Sequence, residues 1–416
     1  MLPFSTLDAY GLKSRQSSKI KGNSDSSYTM IAKRRQTKEV AVGHVGVGGS
    51  NAISIQSMTN IPTKNVKGNV WQICELFEGG CEIIRLAVTD LEDIKFFTEI
   101  KKILRAKDVP IPMVADVHFS PAIALDCLEV ADKVRINAGN FSDKLVRPQS
   151  FSNDEFLAGK NKLQASLGKF FWRAKDLKKS VRIGINHGSL APRMVYKFGH
   201  TDVAMWESAK ECLEVAQEVQ FENIILSFKA SDVKKMIAAN RLACSKLDEM
   251  GSHYPIHLGV TESGNGDYAR IKSAIGMGCL LMDGIGDTLR VSLTEDPVRE
   301  IEVAKNILQG CGARRYGIEF IACPSCGRTS YDIQSVLGEL KMQLGKLLGA
   351  RNLKIAVMGC MINGLGEAED ADFTIIGSPS GTLSLYQNRN CMLKNASREE
   401  VCKNLIKIYQ IKLDGV

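Results

Sequence analysis

The chain has 416 residues, of which 44% are hydrophobic and 24% are charged, and its formal net charge is +8. This length fits two domains, or one large barrel with an addition, and the composition is that of an ordinary soluble globular protein. The twelve cysteines are too sparse for a disulfide scaffold, and no run of 18 apolar residues predicts a membrane helix, so we expect a cytoplasmic protein without a membrane partner.

Residues 1–33 form a basic tail rich in serine and lysine. The tail has no apolar segment of the kind that a secretory signal requires, and its composition predicts disorder. Its charge would permit nucleic-acid binding, but no aromatic side chains alternate with the basic ones as they do in single-strand binders. We therefore expect a solvated tail and no nucleic-acid partner.

Eight short β-rich segments alternate with helical patterns along the next part of the chain. They are Ile53–Met58, Glu82–Val88, Ile111–Val117, Lys133–Asn137, Val181–Asn186, Asn223–Lys229, Pro255–Thr261 and Thr288–Leu293. This eightfold alternation of strands and helices predicts an α/β fold with a (β/α)8 TIM barrel over residues 34–310. A doubly wound sheet is the alternative, but the even number of strands and the lack of a glycine fingerprint favour the barrel. The segment Val40–Gly49 is predicted to be a hairpin that plugs the barrel bottom.

Several of these predicted strands carry charged or amide side chains where a barrel strand should be apolar. Those that we assign to a binding site are Arg85, Arg135, Asn137, Arg182, Asn186, Lys229, Arg290 and Ser292. Many lie two residues apart, hence on one face of a strand, and barrel enzymes keep their active sites at strand C-terminal ends. Two carboxylates, Asp116 and Glu262, cannot neutralise five such cations, so the sequence predicts a phosphorylated or diphosphorylated ligand.

A second domain is predicted over residues 311–416, from a short α/β pattern that follows the barrel. Its elements are predicted as strand Gly317–Ala322, helix Tyr331–Leu348, strands Leu353–Met358, Asp372–Gly377 and Thr382–Tyr386, and helix Arg398–Ile411.

Three cysteines of this second domain lie next to predicted strand ends. Cys323 and Cys326 form a CxxC pair, and Cys360 follows another strand, with Glu367 seven residues later in a glycine-rich turn. A structural zinc would need a fourth cysteine or histidine, for which Cys391 and Cys402 are the candidates. The other interpretation is an iron–sulfur cluster with three thiolates and an easily displaced carboxylate, whose iron would be open to a substrate oxygen.

Eight ordered motifs together resemble the 4-hydroxy-3-methylbut-2-en-1-yl diphosphate synthases of the non-mevalonate isoprenoid pathway. They are Gln56–Thr59, Ala115–Phe119, Arg135–Asn137, Arg182–Asn186, Gly259–Glu262, Gly286–Ser292, Ala322–Cys326 and Asn363–Glu367. The resemblance runs from about residue 34 to the C-terminus. It implies reductive opening of 2-C-methyl-D-erythritol 2,4-cyclodiphosphate, with electrons from ferredoxin or flavodoxin. The competing interpretation is a barrel lyase, or a binding protein for a phosphorylated metabolite, with a structural metal site.

The resemblance also implies residue roles. Cys323, Cys326, Cys360 and Glu367 would ligate a 4Fe-4S cluster, the polar barrel residues would hold the diphosphate, and Glu262 would deliver a proton, with His118 a second candidate. This chain has Ala138 and Leu365 where many relatives have proline. Since only about ten residues join the two predicted domains, we expect a head-to-tail homodimer in which each cluster domain covers the partner's barrel.

Overall fold

The computed structural model describes residues 33–142, 151–344 and 353–414. The predicted disorder of the tail up to residue 32 lies outside these residues. No helix in the described ranges has the length and apolar character that a membrane-spanning segment needs.

Ten strands and nine helices belong to the first part of the chain that the structure describes. The strands are β1 (Val40–Val42), β2 (Val45–Val47), β3 (Ser54–Met58), β4 (Ile83–Val88), β5 (Met113–Val117), β6 (Lys133–Asn137), β7 (Ser180–Asn186), β8 (Ile224–Lys229), β9 (His257–Leu258) and β10 (Thr288–Leu289). The helices are α1 (Val66–Glu78), α2 (Leu91–Ala106), α3 (Pro121–Val130), α4 (Asn153–Asp176), α5 (Pro192–Phe198), α6 (Asp202–Glu218), α7 (Val233–Glu249), α8 (Gly266–Met282) and α9 (Pro297–Gly310).

Strands β3 to β10 form the predicted parallel barrel, in the order β8-β7-β6-β5-β4-β3-β10-β9. A parallel bridge between Leu226 and Ile256 joins β8 to β9 and closes it. The core lies between these strands and the surrounding helices, and the helices begin at local signals such as the Ser152–Glu155 capping box of α4. The expected TIM barrel is confirmed.

The hairpin β1–β2 covers the N-terminal ends of the barrel strands. Its side chains Val40, Val42 and Val47 form a buried cluster with residues near the starts of three strands, Ile83, Val114 and Ile225. Because these strand starts are at the bottom of the barrel, the hairpin seals the end opposite the active-site end, as the sequence predicted.

The second part of the chain forms a five-stranded sheet with helices on it. Its strands are β11 (Glu319–Ala322), β12 (Lys354–Met358), β13 (Phe373–Gly377), β14 (Leu383–Gln387) and β15 (Asn390–Ala396), paired in that order. Its helices are α10 (Ile333–Leu344), α11 (Met361–Gly364) and α12 (Arg398–Asp414). The first three strands are parallel and the last two antiparallel. A separate core of apolar side chains packs beneath α10 and α12.

Three features differ from the sequence-based expectation. The sequence pattern did not predict β15, whose largely exposed polar side chains give no apolar alternation, or the short helix α5. The seventh and eighth barrel strands are two residues long, although segments of six or seven residues were predicted. The barrel backbone becomes irregular at Gly259, where a Cβ would lie 2.7 Å from the Lys229 ammonium group, so only glycine leaves room for that side chain.

Candidate active site

Asp116 is the central carboxylate at the C-terminal end of the barrel. Arg135 donates a hydrogen bond of 2.9 Å to its Oδ1, and the Nε of Arg85 lies 3.6 Å from its Oδ2. All three side chains come from the adjacent strands β4, β5 and β6. Burial opposes ionisation of Asp116, but the charges of Arg85, Arg135 and Arg182 outweigh burial and hold its pKa well below the usual range. Asp116 is therefore ionised, and its single charge faces several cations.

Two further basic side chains of the described residues form no direct ion pair. Arg182 on β7 and Lys229 on β8 are buried, and within the described part of the chain neither makes a hydrogen bond or an ion pair to an acceptor. Burial and the neighbouring arginines lower the pKa of both groups well below their usual values. Burial likewise lowers the pKa of Arg85 to about 10, although Asp116 opposes the shift. An isolated buried charge costs several kcal/mol, so an anion close by would stabilise this arrangement.

Arg290 differs from the other predicted cations because it is already paired. Its guanidinium donates to the buried carboxylate of Glu300 on α9 at 3.1 and 3.2 Å, and Ser57 donates to the same carboxylate at 2.9 Å. The surplus of positive charge is thus carried by Arg182, Lys229 and the Arg85–Arg135 pair.

His118 lies directly above this group and is held between two side chains. Arg135 donates to its Nε2, and the Asn140 amide nitrogen lies 3.0 Å from its Nδ1. Because the arginine can only donate, Nε2 accepts and Nδ1 carries the proton. A half-turn of the Asn140 amide would then offer its oxygen, which has no partner among the described residues, to that proton. Burial and the charge of Arg135 lower the pKa of His118, so the ring is neutral at neutral pH.

The remaining predicted barrel residues lie at the same end. Asn137 donates to Ser189 Oγ at 2.8 Å and accepts from the Gly139 amide, which ties β6 to the loop after β7. Asn186 ends β7 and its amide oxygen is buried without a partner in the described ranges. Ser292 is half-buried beyond β10. Glu262 is exposed, and its backbone has a φ of 49°, in the left-handed region.

The three predicted cysteine ligands lie at one edge of the second sheet. Cys323 directly follows β11, and its amide donates a hydrogen bond to the Val357 carbonyl on the neighbouring strand β12. Strand β12 ends at Met358, and Cys360 lies two residues further along the chain. Cys326 is exposed in the turn after Ser325, whose φ of 72° folds the chain back. Gly359 is needed here because a Cβ would lie 2.5 Å from Thr329 Oγ1. Glu367 is exposed in the loop after Cys360.

The chemistry of this set fits iron better than a four-ligand zinc site. Cys402 is packed in the apolar core under α12, where burial raises the pKa of its thiol to about 11. Cys391 lies on β15, where it pairs with Tyr386 on β14. In the strand order, β15 is at the opposite edge of the sheet from β11, the strand that Cys323 follows. In the described parts of the chain, no three cysteine, histidine or acidic side chains already converge as metal ligands. Cysteine thiolates are nevertheless the usual ligands of iron–sulfur clusters, and Glu367 lies only seven residues after Cys360 in the chain.

Family models establish the relationship that the motifs suggested. The GcpE TIM-barrel domain matches residues 37–305, and the GcpE protein C-terminal domain matches residues 319–411. The chain belongs to the GcpE family. Relatives of this GcpE protein include the 4-hydroxy-3-methylbut-2-en-1-yl diphosphate synthase (ferredoxin) of Prochlorococcus marinus, 43% identical over 93% of this chain and 95% of that protein. The enzyme of the same name from Trichodesmium erythraeum is 43% identical over 92% of this chain and 93% of its own length.

The resemblance stated from the motifs is therefore confirmed, and the interpretation as an unrelated barrel lyase or binding protein is not favoured. Among solved structures, dihydropteroate synthase from Xanthomonas albilineans covers 67% of this GcpE chain with a TM-score of 0.44 at 12% identity. That similarity is too low to bear on function.

Sequence reasoning missed two residues of the barrel site, Glu300 and Asn140. Glu300 lies in the first turn of α9, where a carboxylate is ordinarily explained by the helix dipole. Asn140 follows Asn137 by three residues in a loop, and no sequence signal shows that it reaches back to His118.

The substitution at Ala138 also has a structural consequence. Its amide donates to the Gly184 carbonyl at 3.1 Å, a hydrogen bond that proline could not make.

Proposed function

We propose that the barrel mouth of this chain binds the diphosphate of 2-C-methyl-D-erythritol 2,4-cyclodiphosphate, and that the second domain supplies the electrons that open it. As a GcpE family member the chain is an oxidoreductase of isoprenoid precursor synthesis. Its reaction breaks the ring, releases water and takes up two electrons and one proton to give 4-hydroxy-3-methylbut-2-enyl diphosphate. The observation that carries the substrate assignment is the pair of buried basic side chains that form no direct ion pair among the described residues, Arg182 and Lys229.

These two residues are proposed as the principal ligands of the diphosphate. Both side chains are buried in the barrel, where charge-assisted hydrogen bonds to phosphate oxygens are strong. Arg85 and Arg135 would share their charge between Asp116 and the ligand, since each has donors left after contacting the carboxylate. Arg290 is proposed to contribute less, because Glu300 already neutralises it. The neutral donors proposed for the remaining oxygens are Asn137, Asn186 and Ser292.

Glu262 is proposed as the group that delivers the proton when the hydroxyl leaves. It directly follows the seventh-strand segment at the mouth and is exposed, so it can exchange protons with solvent. His118 is the weaker candidate. Its Nε2 accepts from Arg135 and its pKa is lowered, so it would contact the bound substrate more readily than donate a proton to it.

Cys323, Cys326, Cys360 and Glu367 are proposed to hold a 4Fe-4S cluster. Such a cluster would pass electrons one at a time to the substrate. The relatives carry ferredoxin in their names, and we propose ferredoxin as the donor here, with flavodoxin as the alternative. A cytoplasmic location suits free thiols and remains a prediction.

The geometry of the linker supports a head-to-tail homodimer. Arg314 donates to the Ile53 carbonyl and to the Glu82 carboxylate, both at the N-terminal ends of barrel strands. The linker is thus fixed at the barrel bottom, and β11 begins at Glu319. The five Cα-to-Cα steps from Arg314 to Glu319 span at most about 18 Å, too little to carry the cysteines around the barrel to the mouth. We therefore propose that the cysteines of one copy lie at the barrel mouth of a second copy. The boundary between the two domains is proposed to fall between residues 310 and 311.

The two surfaces that would meet in this dimer are complementary in charge and in polarity. The loop after Cys360 exposes the apolar Ile362 and the carboxylates Glu367 and Asp370. The mouth is cationic, and Phe119 on its rim is 61% exposed with a φ of 62°, an unusual conformation for an aromatic residue.

Complementation tests this arrangement. A chain with Arg182→Met has a mouth that binds the diphosphate weakly, and a chain with Cys326→Ser lacks a functional cluster site. At a substrate concentration far below the dissociation constant of Arg182→Met, dimers reassembled from the two variants should regain part of the wild-type turnover, because one mouth and one cysteine site are then intact and face each other. If the cluster served its own barrel, the mixture would stay inactive, since every chain would keep one defect.

Metal analysis tests the cluster. Protein purified without oxygen should hold about four irons and four sulfides per chain. Cys326→Ser and Cys360→Ser should lose most of this iron, whereas Cys391→Ser, on the far strand, should retain it. Glu367→Ala should abolish turnover while keeping the fold. One zinc and no sulfide after anaerobic reconstitution would refute the redox assignment.

A further inference from the structure

A second layer of polar side chains lies deeper in the barrel, beneath the proposed diphosphate site. Lys133 is the first residue of β6, on the same face as Arg135 two residues later, and His257 is the first residue of β9. Both are completely buried. The Lys133 ammonium nitrogen and both ring nitrogens of His257 have no hydrogen-bond partner among the described residues. None of the roles proposed above uses either residue.

This layer is closed from below. In the strand register Lys133 lies between Val114 on β5 and Ser180 on β7. Val114 also packs against Val40 and Val42 of the hairpin that seals the barrel bottom. The layer therefore lies between the hairpin that seals the barrel bottom and the mouth side, where the diphosphate would bind.

The titratable groups that act on the layer are all bases. Arg182 and Arg85 face Lys133, and these two together with Lys229 and Lys133 face His257. The carboxylates of the surrounding elements are engaged elsewhere: Asp116 with Arg135, Glu300 with Arg290, Asp287 with Arg34, and Asp132 with Lys101. Burial, reinforced by these cations, lowers the pKa of Lys133 and of His257 well below their usual values.

We propose that Lys133 and His257 are uncharged in the ligand-free enzyme and become protonated when the diphosphate binds. Their protonation adds positive charge beneath the diphosphate site. The inference rests on the proposed function, because it requires a diphosphate in the mouth. The bound anion cancels the repulsion from Arg182 and Arg85, so the protonated forms become favourable inside a low-dielectric barrel. A barrel that carried all of these charges permanently would be destabilised whenever it was empty.

Calorimetry without an electron donor measures this directly. The cyclic diphosphate is titrated into anaerobically prepared enzyme at neutral pH, in buffers with different enthalpies of ionisation. Each phosphate of the ring has one strongly acidic hydroxyl, so the ligand itself does not titrate near neutrality. The dependence of the apparent enthalpy on the buffer gives the number of protons taken up, for which we expect about one per bound ligand.

Two substitutions test which side chains take up the protons. Lys133→Met keeps the length of the side chain without the amine, and His257→Gln keeps a polar group that does not titrate. Each should lower the proton uptake and reduce the pH dependence of affinity, and the double variant should remove most of the uptake. Lys101→Met is the matched control, because Lys101 binds the Val130 carbonyl and Asp132 outside the barrel. It should leave the proton count unchanged.

The outcomes separate this inference from the function on which it rests. Tight binding without proton uptake, or an uptake that survives the double variant, would overturn the inference and leave the substrate assignment intact. Failure of the wild-type enzyme to bind the cyclic diphosphate would overturn both. A purely structural role for Lys133 would lower stability in Lys133→Met but leave the proton count of the folded protein as in the wild type.

Discussion

Replacing Asp116 with asparagine removes the carboxylate that pairs with both Arg135 and Arg85 in the barrel mouth. The carboxylate lies 2.9 Å from Arg135 and 3.6 Å from Arg85, and all three groups are largely buried. Removing one partner of a buried pair leaves its cation uncompensated, at a cost of about 3–5 kcal/mol. For a domain of this size that corresponds to a loss of roughly 6–20 °C in unfolding midpoint. We expect this loss in the ligand-free Asp116→Asn enzyme, measured by thermal and denaturant unfolding.

Ligand should reverse much of this defect. A bound diphosphate supplies negative charge to Arg135 and Arg85, so the deficit of Asp116→Asn should shrink when unfolding is repeated with saturating cyclic diphosphate. The matched control is Glu211→Gln, which breaks a buried bidentate pair with Arg193, at 2.6 and 2.8 Å, away from these groups. Its deficit should be the same with and without ligand. An unchanged ligand-free midpoint in Asp116→Asn, or a deficit that ligand does not alter, would refute the reasoning.

The same variant has a pH signature. Because neighbouring cations hold the pKa of Asp116 below its unfolded value, its stabilisation is fully present above about pH 4 and is lost as the pH falls through the folded pKa. The stability difference between wild type and Asp116→Asn should therefore be constant near neutrality and narrow under acid conditions. A difference that grows on acidification would contradict the assigned ionisation state.

Three further substitutions probe the barrel. Arg182→Met should weaken binding of the cyclic diphosphate about 10- to 100-fold in calorimetry while raising ligand-free stability, because it removes an uncompensated buried charge; a lower stability would contradict this. Arg290→Met should show the opposite balance, a smaller loss of affinity with a lower unfolding midpoint, because Glu300 is left buried without its partner. Val42→Ala should lower the free energy of unfolding by about 2 kcal/mol through the hairpin core, with diphosphate affinity changed less than twofold.

The barrel was predictable because its signals are local. Alternation along a strand places residues two apart on one face, so the spacing of Arg135 and Asn137 on β6 was enough to assign them to the same surface. Capping residues and prolines mark where helices begin, as Asp296 and Pro297 do for α9. Strand β15 was missed for the same reason, since an edge strand with exposed polar side chains leaves no alternating pattern.

The state of each charged residue was not predictable. Sequence reasoning counted Arg182 and Arg290 as equivalent cations, yet one is unpaired and the other is neutralised by Glu300. Whether a cation has a partner depends on which helix packs behind which strand. The unusual burial of Lys133 and His257 is likewise decided by the closed barrel and its hairpin plug, and no pattern along the chain marks it.

The sequence by itself determined the family, the (β/α)8 rhythm, the excess of positive charge in the strands and the cysteines next to strand ends. These follow from covalent spacing, which fixes the face of a strand or the end of an element on which a residue lies. The tertiary structure alone decided which cations are unpaired, that His118 is neutral, and that Arg314 fixes the linker at the barrel bottom. These properties depend on contacts between residues far apart in the chain, such as Arg314 and Ile53 at a separation of 261 positions, and local patterns carry no information about such contacts.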